Sequence, residues 1–229
     1  MDILPKHVFK ALKASGVRSI YHANSLITSC QFLRHGALLS RGSVERLGFK
    51  QTPQTSDELD KRHSVWFDVF VDSVDIHDRA SQENFYGPVL FVMDTALIEK
   101  SYTGKIWVAK LNPTKWSGKT QKQCWFQSKE DLETNFEYGD FDHMVVFRHC
   151  GGELPFRSYL REIVIDDPKI RTEEGVDLFS MAYGAVQLAM SDRGADVPIR
   201  KRDCGAHCRC RKNYRANEAH TIQMFWPGI

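Results

Sequence analysis

The spacing of apolar residues predicts a strand that leads directly into a helix near the start of the chain. Residues 17–22 form a short apolar run typical of a strand, and it ends at His22. Residues 25–35 then carry apolar side chains at positions 26, 27, 30, 32 and 33, which share one face of a helix. Asn24 or Ser25 can cap the first turn, and Gly36 can take the left-handed conformation that ends a helix. The pattern therefore brings His22 to the start of a helix.

The rest of the chain alternates between strand-like and helix-like patterns without a strict order. Strands are predicted over residues 64–71, 88–93, 106–109, 143–148 and 162–166, and helices over residues 1–13, 129–138 and 173–190. Polar residues dominate 42–62 and 112–124, which predicts surface loops, the first of which could close over a site. Because strands and helices do not alternate regularly as βαβ units, we expect an α+β fold with a curved, mostly antiparallel sheet flanked by helices.

Composition indicates a globular protein without a membrane anchor. The chain has 229 residues, of which 42% are hydrophobic, enough to form a core. No apolar run approaches the roughly 20 residues that a membrane-spanning helix needs. The N-terminus resembles a basic amphipathic helix more than a secretory signal, so we expect a cytoplasmic protein with reduced cysteines. We expect one domain over residues 1–191 and a basic, Cys- and His-containing C-terminal appendage over 192–229.

Positive charge is concentrated in this C-terminal part, although the net charge is only +2. The basic residues are Arg193, Arg200, Lys201, Arg202, Arg209, Arg211, Lys212 and Arg215. Only Asp196 and Asp203 oppose them within the same stretch. Such a cluster can face the phosphates of a nucleic acid, or it can be a solvated surface. The sequence leaves both interpretations open.

The same region contains a cluster of cysteines that suggests a metal site. Cys204, Cys208 and Cys210 lie close together, and His220 follows. Three thiols and a histidine can satisfy tetrahedral zinc, although C-x3-C-x-C is not a common zinc-finger spacing. The alternative is a Cys-rich tail that packs on the domain through its last aromatic residues. Zinc is therefore an open expectation.

Three groups of residues follow one another along the chain and together form a pattern. His22 ends the first predicted strand, and Gly36 with an apolar pair closes the following helix. Trp66-Phe67 and then Arg79 precede the strand at 88–93, and Glu162 opens a β-branched run. This order resembles the motifs of diphtheria-toxin-type ADP-ribosyltransferases of the H-Y-E class. It is closest to the DarT-type nucleic-acid ADP-ribosyltransferases and the RNA 2′-phosphotransferases, which share one core.

The resemblance implies a role for each of these residues around NAD+. His22 would hold the NAD+ ribose, Trp66 and Phe67 would lie against the nicotinamide, and Arg79 would pair with a phosphate. Glu162 would be the catalytic carboxylate. Cleavage of the nicotinamide–ribose bond creates an oxocarbenium-like centre, which a carboxylate near the ribose 2′-hydroxyl stabilises. The implied fold is an ADP-ribosyltransferase-like core with a split sheet.

Alternatives accompany each assignment. Glu153, in a predicted Gly-Gly turn, competes with Glu162, which we prefer because a strand fixes its direction. Glu162 could instead form a surface ion pair with an arginine, and His22 could be an ordinary half-buried histidine. At least one of Trp66 and Phe67 is expected in the core if they alternate on a strand.

The function implied is that of an NAD+-dependent ADP-ribosyltransferase, a glycosyltransferase that modifies RNA or DNA. By the resemblance it would act as a toxin of a toxin–antitoxin or anti-phage defence system, with an antitoxin protein as a partner. One alternative is a non-catalytic nucleic-acid-binding module with a metal-stabilised tail. Another is an RNA 2′-phosphotransferase, which needs more basic residues around the site.

Overall fold

A computed structural model describes residues 1–54, 56–77, 86–100, 102–203 and 208–228. The helices in these ranges are α1 (Pro5–Ala14), α2 (Leu26–His35), α3 (Arg41–Arg46), α4 (Asp57–Arg62), α5 (Leu97–Lys100), α6 (Gln121–Cys124), α7 (Lys129–Asn135), α8 (Leu178–Ser191), α9 (Arg209–Ala216) and α10 (Glu218–Phe225). The strands are β1 (Ser19–Asn24), β2 (Ala37–Leu39), β3 (Val69–Val71), β4 (Val89–Asp94), β5 (Ile106–Val108), β6 (Val145–Phe147), β7 (Glu153–Pro155), β8 (Leu160–Asp167) and β9 (Ile199–Asp203). A 3-10 helix covers Pro113–Lys115. This mixture confirms the predicted α+β class.

The strands form three sheets that are mostly antiparallel. The central sheet has the order β1-β4-β8-β9, in which only the pairing of β8 with β9 is parallel. A second sheet has the order β3-β6-β5, and β2 pairs with β7. Tyr21 and Asp72 exchange two backbone hydrogen bonds, of 2.8 and 2.9 Å, which join β1 to the chain just after β3. The first two sheets therefore meet beside the end of β1.

One face of the central sheet belongs to the main core. Ile20, Phe91 and Ile163 are fully buried there, on three neighbouring strands. His22 shares this face, because side chains two residues apart on a strand point the same way. Its ring lies 5.7 Å from that of Phe32 on α2, between centroids.

The opposite face carries a separate, smaller apolar cluster. Val92 and Val164 are buried in it, and Tyr21 packs against them. Glu162 belongs to this face, because it lies two residues before Val164 on β8. The alternation along β8 therefore directs Glu162 away from the face that holds His22.

The β1–α2 unit follows the sequence prediction, except that β1 begins at Ser19 and continues two residues beyond His22, to Asn24. Leu26, Cys30 and Phe32 bury the apolar face of α2. Gly36 ends the helix with a φ of +80° and donates its N–H to the carbonyl of Phe32 at 2.8 Å. Glycine adopts this left-handed conformation without the strain that a Cβ would add. The local pattern was sufficient to predict this unit.

The predicted strand over 64–71 is wrong in its first half. Trp66 and Phe67 lie in a turn, and β3 begins only at Val69. The carbonyl of Trp66 accepts a hydrogen bond from the N–H of Gly42, which lies at the start of α3, instead of from a neighbouring strand. Tertiary contact with α3 therefore overrides the strand propensity of these aromatic residues.

Two other segments also differ from their predictions. Residues 42–62 contain α3 and α4 and are not simply a loop. The helix expected from residue 173 begins at Leu178, because the Asp177 carboxylate caps it by accepting the N–H of Ser180 at 2.9 Å. Along this helix Ala182, Val186 and Ala189 are buried, while Leu188 is 58% exposed.

Several of the C-terminal residues 192–229 pack into the same core. β9 extends the central sheet, and Tyr214 and Phe225 are fully buried in the main cluster. β9, Tyr214 and Phe225 therefore pack with the rest of the described chain, and the boundary expected at residue 191 stays a prediction. Across the described ranges, none of the helices combines the length and apolar character that a membrane crossing requires.

Candidate functional site

A cavity opens at the C-terminal end of β1, where the first two sheets meet. It measures about 840 Å³ including its open mouth, within the range of small-molecule sites. β1, β3, α4 and the start of α3 contribute to its walls, together with the 3-10 helix and Tyr86 before β4. Most of the lining residues are of polar types, but the surface that they present to the cavity is mainly apolar. Such a lining suits a ligand with both apolar and hydrogen-bonding parts.

His22 lies at the base of this cavity as a neutral imidazole. Its Nδ1 is 2.9 Å from the carbonyl oxygen of Phe70, so Nδ1 carries the proton that is donated there. Nε2 is then an acceptor, and it faces the side-chain amide of Asn24 at 3.3 Å. Burial lowers the pKa of His22 to about 4, so the ring is uncharged at neutral pH. At this point the cavity is lined by two uncharged hydrogen-bonding groups, the imidazole of His22 and the side-chain amide of Asn24.

Arg41 supplies positive charge on the next wall. Ser40 caps α3 by accepting the N–H of Ser43, which holds the first turn in place. The Arg41 guanidinium donates two hydrogen bonds to Asp57, but its Nη1 is buried without a hydrogen-bond partner among the described residues. A buried, unpaired guanidinium N–H is costly, so it indicates a place where a ligand or water completes the site.

Carboxylates line the cavity on the side facing Arg41. Burial raises the pKa of Asp60 to about 7, and the neighbouring charge of Asp57 adds to this rise. Burial also raises the pKa of Asp68, although Arg148 opposes the rise from 2.8 Å, between Nε and Oδ2. Asp72 completes the group. Asp60 is thus a group that can gain or lose a proton near neutral pH.

Glu162 does not lie in this cavity. The Arg200 guanidinium donates to both of its carboxylate oxygens, at 3.1 and 3.2 Å. The pair lies on the face of the central sheet opposite His22, as the alternation along β8 requires. The structure therefore does not bring Glu162 and His22 together, and it realises the alternative of an ion pair.

Glu153 lies nearer but also faces elsewhere. It begins β7, which pairs with β2, instead of lying in the expected free turn. Its carboxylate is 3.1 Å from Nε2 of His35, at the end of α2. Glu153 is therefore engaged with α2 and is not a lining residue of the cavity.

Trp66 and Phe67 lie beside the cavity but outside its lining. Trp66 donates from Nε1 to Glu45 at 2.9 Å, and Phe67 is 48% exposed. Both rings cover Gly42, where a Cβ would come within 2.8 Å of their atoms. Arg79, the expected phosphate partner, lies outside the described residues.

The sequence interpretation missed four residues of the cavity. Arg41, Asp60, Asp68 and Asp72 line it, and none was a candidate. One signal was available, since residues 68 and 72 flank Phe70 with a period of two and so share one face of a strand. Arg41 and Asp60 could be placed at the cavity only from the contact between the starts of α3 and α4, which no local pattern shows.

The basic C-terminal stretch is partly neutralised within the protein. Arg200 pairs with Glu162, and Arg202 pairs with Asp75 at 2.5 Å. Lys201 lies 3.4 Å from Asp167, between Nζ and Oδ2. These ion pairs hold β9 against the rest of the protein. The stretch as a whole is therefore less suited to face phosphate.

Comparison with known proteins adds no family assignment. The chain matches no protein-family model, and no curated protein sequence matches it.

Proposed function

We propose that the protein is an NAD+-dependent ADP-ribosyltransferase that binds NAD+ in the cavity at the end of β1. The observation that carries the proposal is the content of this one cavity. The cavity brings together three residues: His22 on β1, Arg41, whose buried Nη1 has no hydrogen-bond partner among the described residues, and Asp60, whose carboxyl has a pKa of about 7. The order of His22, α2 and Gly36 supports an ADP-ribosyltransferase-like core, and so do the two mainly antiparallel sheets that meet at the cavity.

Arg41 is the residue that we propose for the pyrophosphate. Two of its nitrogens are held by Asp57, so the direction of Nη1 is set before any ligand arrives. A phosphate oxygen that accepts this N–H would form a charge-assisted hydrogen bond and remove the cost of the unpaired donor. In this assignment Arg41 has the role that the resemblance gave to Arg79.

Asp60 is the residue that we propose for proton transfer at the ribose. The bond from C1′ of the ribose to the nicotinamide nitrogen breaks, and its electron pair leaves with neutral nicotinamide. The acceptor atom forms a bond to C1′, and its proton passes to the Asp60 carboxylate. Asp68 and Asp72 add negative charge beside the oxocarbenium-like centre. In this assignment Glu162 has a structural role.

The acceptor that we propose is RNA or DNA. Support comes from the resemblance and from the basic residues that α9 contributes to the C-terminal stretch. By the same resemblance, the protein would act in the cytoplasm as a toxin of a toxin–antitoxin or anti-phage defence system, held inactive by an antitoxin protein.

The test is transfer of label from NAD+ carrying radioactive phosphate next to adenosine. The purified chain is incubated with RNA, DNA or cell lysate, and label is expected in a nucleic-acid fraction. Asp60→Asn should reduce the transfer rate by about 100-fold or more, since a positioned acid or base contributes that much. Glu162→Gln is the matched control and should retain activity.

The converse results are equally informative. If Glu162→Gln is inactive and Asp60→Asn is active, the assignment of Asp60 as the catalytic carboxylate is overturned. Absence of NAD+ binding by calorimetry and of transfer to any acceptor would overturn the function. Salt-sensitive RNA binding in that case would favour the non-catalytic nucleic-acid-binding module.

A further inference from the structure

We propose that His77, Cys208 and Cys210 bind one zinc ion that ties the segment after β3 to the start of α9. The three side chains come from parts of the chain about 130 residues apart, yet their ligand atoms all lie within 4.8 Å of one another. The sequence had suggested cysteines of this region together with His220, but His77 was not considered. Cys204 lies outside the described residues, and His220 on α10 is not in the group.

The spacing of the three ligand atoms suits tetrahedral zinc. Zinc–sulfur bonds of about 2.3 Å place two thiolates of a tetrahedral site about 3.8 Å apart. The observed upper limit of 4.8 Å would need to contract by no more than about 1 Å. Two thiolates and an imidazole are also a donor set that zinc prefers over hard cations such as magnesium.

The imidazole of His77 is prepared to act as a ligand. Only 11% of its side chain is exposed, so the ring is held in place beside the two cysteines. Nδ1 lies 4.0 Å from a carboxylate oxygen of Asp75, and Nε2 lies 3.6 Å from one of Asp166. Whichever nitrogen binds the metal, a carboxylate oxygen lies within 4.0 Å of the other, slightly beyond the hydrogen bond that is common around metal-bound histidines.

The two cysteines lie at the start of α9. Cys208 is the N-cap of α9 and Cys210 is in its first turn, so both lie at the positive end of the helix dipole. Arg202 pairs with Asp75 and Asp166, the two carboxylates that lie near the His77 ring. Two thiolates balance the charge of Zn²⁺, and this makes burial of the site less costly.

The position of the site gives it a structural consequence. Residues 73–77 continue directly from Asp72, which lines the cavity, and α9 is anchored by Cys210 and Tyr214 in the main core. The Tyr214 hydroxyl donates to Asp166 at 2.6 Å, next to the ligands. Zinc would thus hold one wall of the cavity against the C-terminal part of the chain, independently of what the cavity binds.

The test begins with metal analysis of the full chain, purified without a histidine tag from cells supplied with zinc. About one zinc per chain is expected. His77→Ala and Cys210→Ser should each lose most of this metal, whereas the control Cys150→Ser should retain it. Unchanged zinc content in His77→Ala would overturn the ligand set, and a wild-type content near zero would overturn the site.

A second measurement uses only the wild-type protein, so its result does not depend on whether the variants fold. Cobalt replacing zinc should give the visible absorption of a tetrahedral site together with thiolate-to-cobalt charge transfer. X-ray absorption at the zinc edge should report sulfur neighbours and an imidazole. A shell of sulfur alone, or of oxygen and nitrogen alone, would contradict the proposal.

Discussion

Arg41 and Asp57 form a bidentate ion pair, with Nε 2.9 Å from Oδ1 and Nη2 2.6 Å from Oδ2. Their side chains are only 13% and 18% exposed, so water weakens this pair less than an ordinary surface pair. The pair joins the first residue of α3 to the first residue of α4. It thereby holds in place the segment that contributes Gln54 and Ser56 to the cavity, and it fixes the guanidinium, whose Nη1 has no hydrogen-bond partner among the described residues.

Replacement of Arg41 by lysine should destabilise the protein and weaken NAD+ binding. Lysine cannot form the two parallel hydrogen bonds, so the free energy of unfolding should fall by about 1–3 kcal/mol. Urea unfolding measures this change. Arg34→Lys is the control, because Arg34 and Asp192 are about 45% exposed and their pair should contribute less than about 1 kcal/mol. Equal losses in the two variants would contradict the role of burial.

Asp60 should make both activity and stability depend on pH. With a pKa of about 7, it accepts a proton only when ionised, so the transfer rate should rise with pH and level off above about 8. Asp57→Asn removes the neighbouring negative charge and should move the midpoint to lower pH. A pH–rate profile of both proteins gives the midpoints, and an unmoved midpoint would exclude Asp60 as the titrating group.

The same residue gives a stability test that does not depend on catalysis. The folded-state pKa of Asp60 lies above its ordinary value of 3.8, so the folded protein binds more protons between these values and loses stability as pH rises. Asp60→Asn should therefore raise the free energy of unfolding more at pH 8 than at pH 4. Urea unfolding at the two pH values measures the difference, and equal effects would contradict the raised pKa.

His22 should contribute stability that disappears in acid. Its folded-state pKa of about 4 lies below the ordinary value of 6.5, so the unfolded chain binds more protons as pH falls through this window. The stability that His22→Gln costs at pH 7.5 should shrink by about 2 kcal/mol at pH 5. Urea unfolding of both proteins at the two pH values checks this, and a pH-independent cost would contradict a buried neutral imidazole.

Gly87→Ala should disturb the end of β1 directly. Gly87 has a φ of +131°, and a Cβ there would lie 2.2 Å from the carbonyl carbon of Asn24. The clash should cost about 2 kcal/mol or more beyond the backbone strain. Gly118→Ala is the control, since Gly118 also has a positive φ, of +71°, but open space around it. Thermal or urea unfolding separates the two, and similar losses would mean that strain alone acts.

Much of the local structure could be predicted because it depends on neighbouring residues. The helix ending at Gly36 follows from the 3.6-residue spacing and a glycine that tolerates positive φ. The strands around Val89 and Ile163 follow from continuous β-branched and apolar runs. Trp66 and Phe67 show the limit, since their strand propensity gave way to a contact with Gly42 far away in the sequence.

The sequence by itself determined the α+β class and the β1–α2 unit, with His22 on the strand that leads into the helix. Each of these follows from periodicity and turn chemistry within about ten residues. Only the tertiary structure decided which side chains share a cavity with His22. Strand pairing and the alternation of faces turn Glu162 toward Arg200, and the ion pair between Arg41 and Asp57 holds the starts of α3 and α4 together at the cavity. Such relationships depend on long-range pairing, which no local spacing encodes.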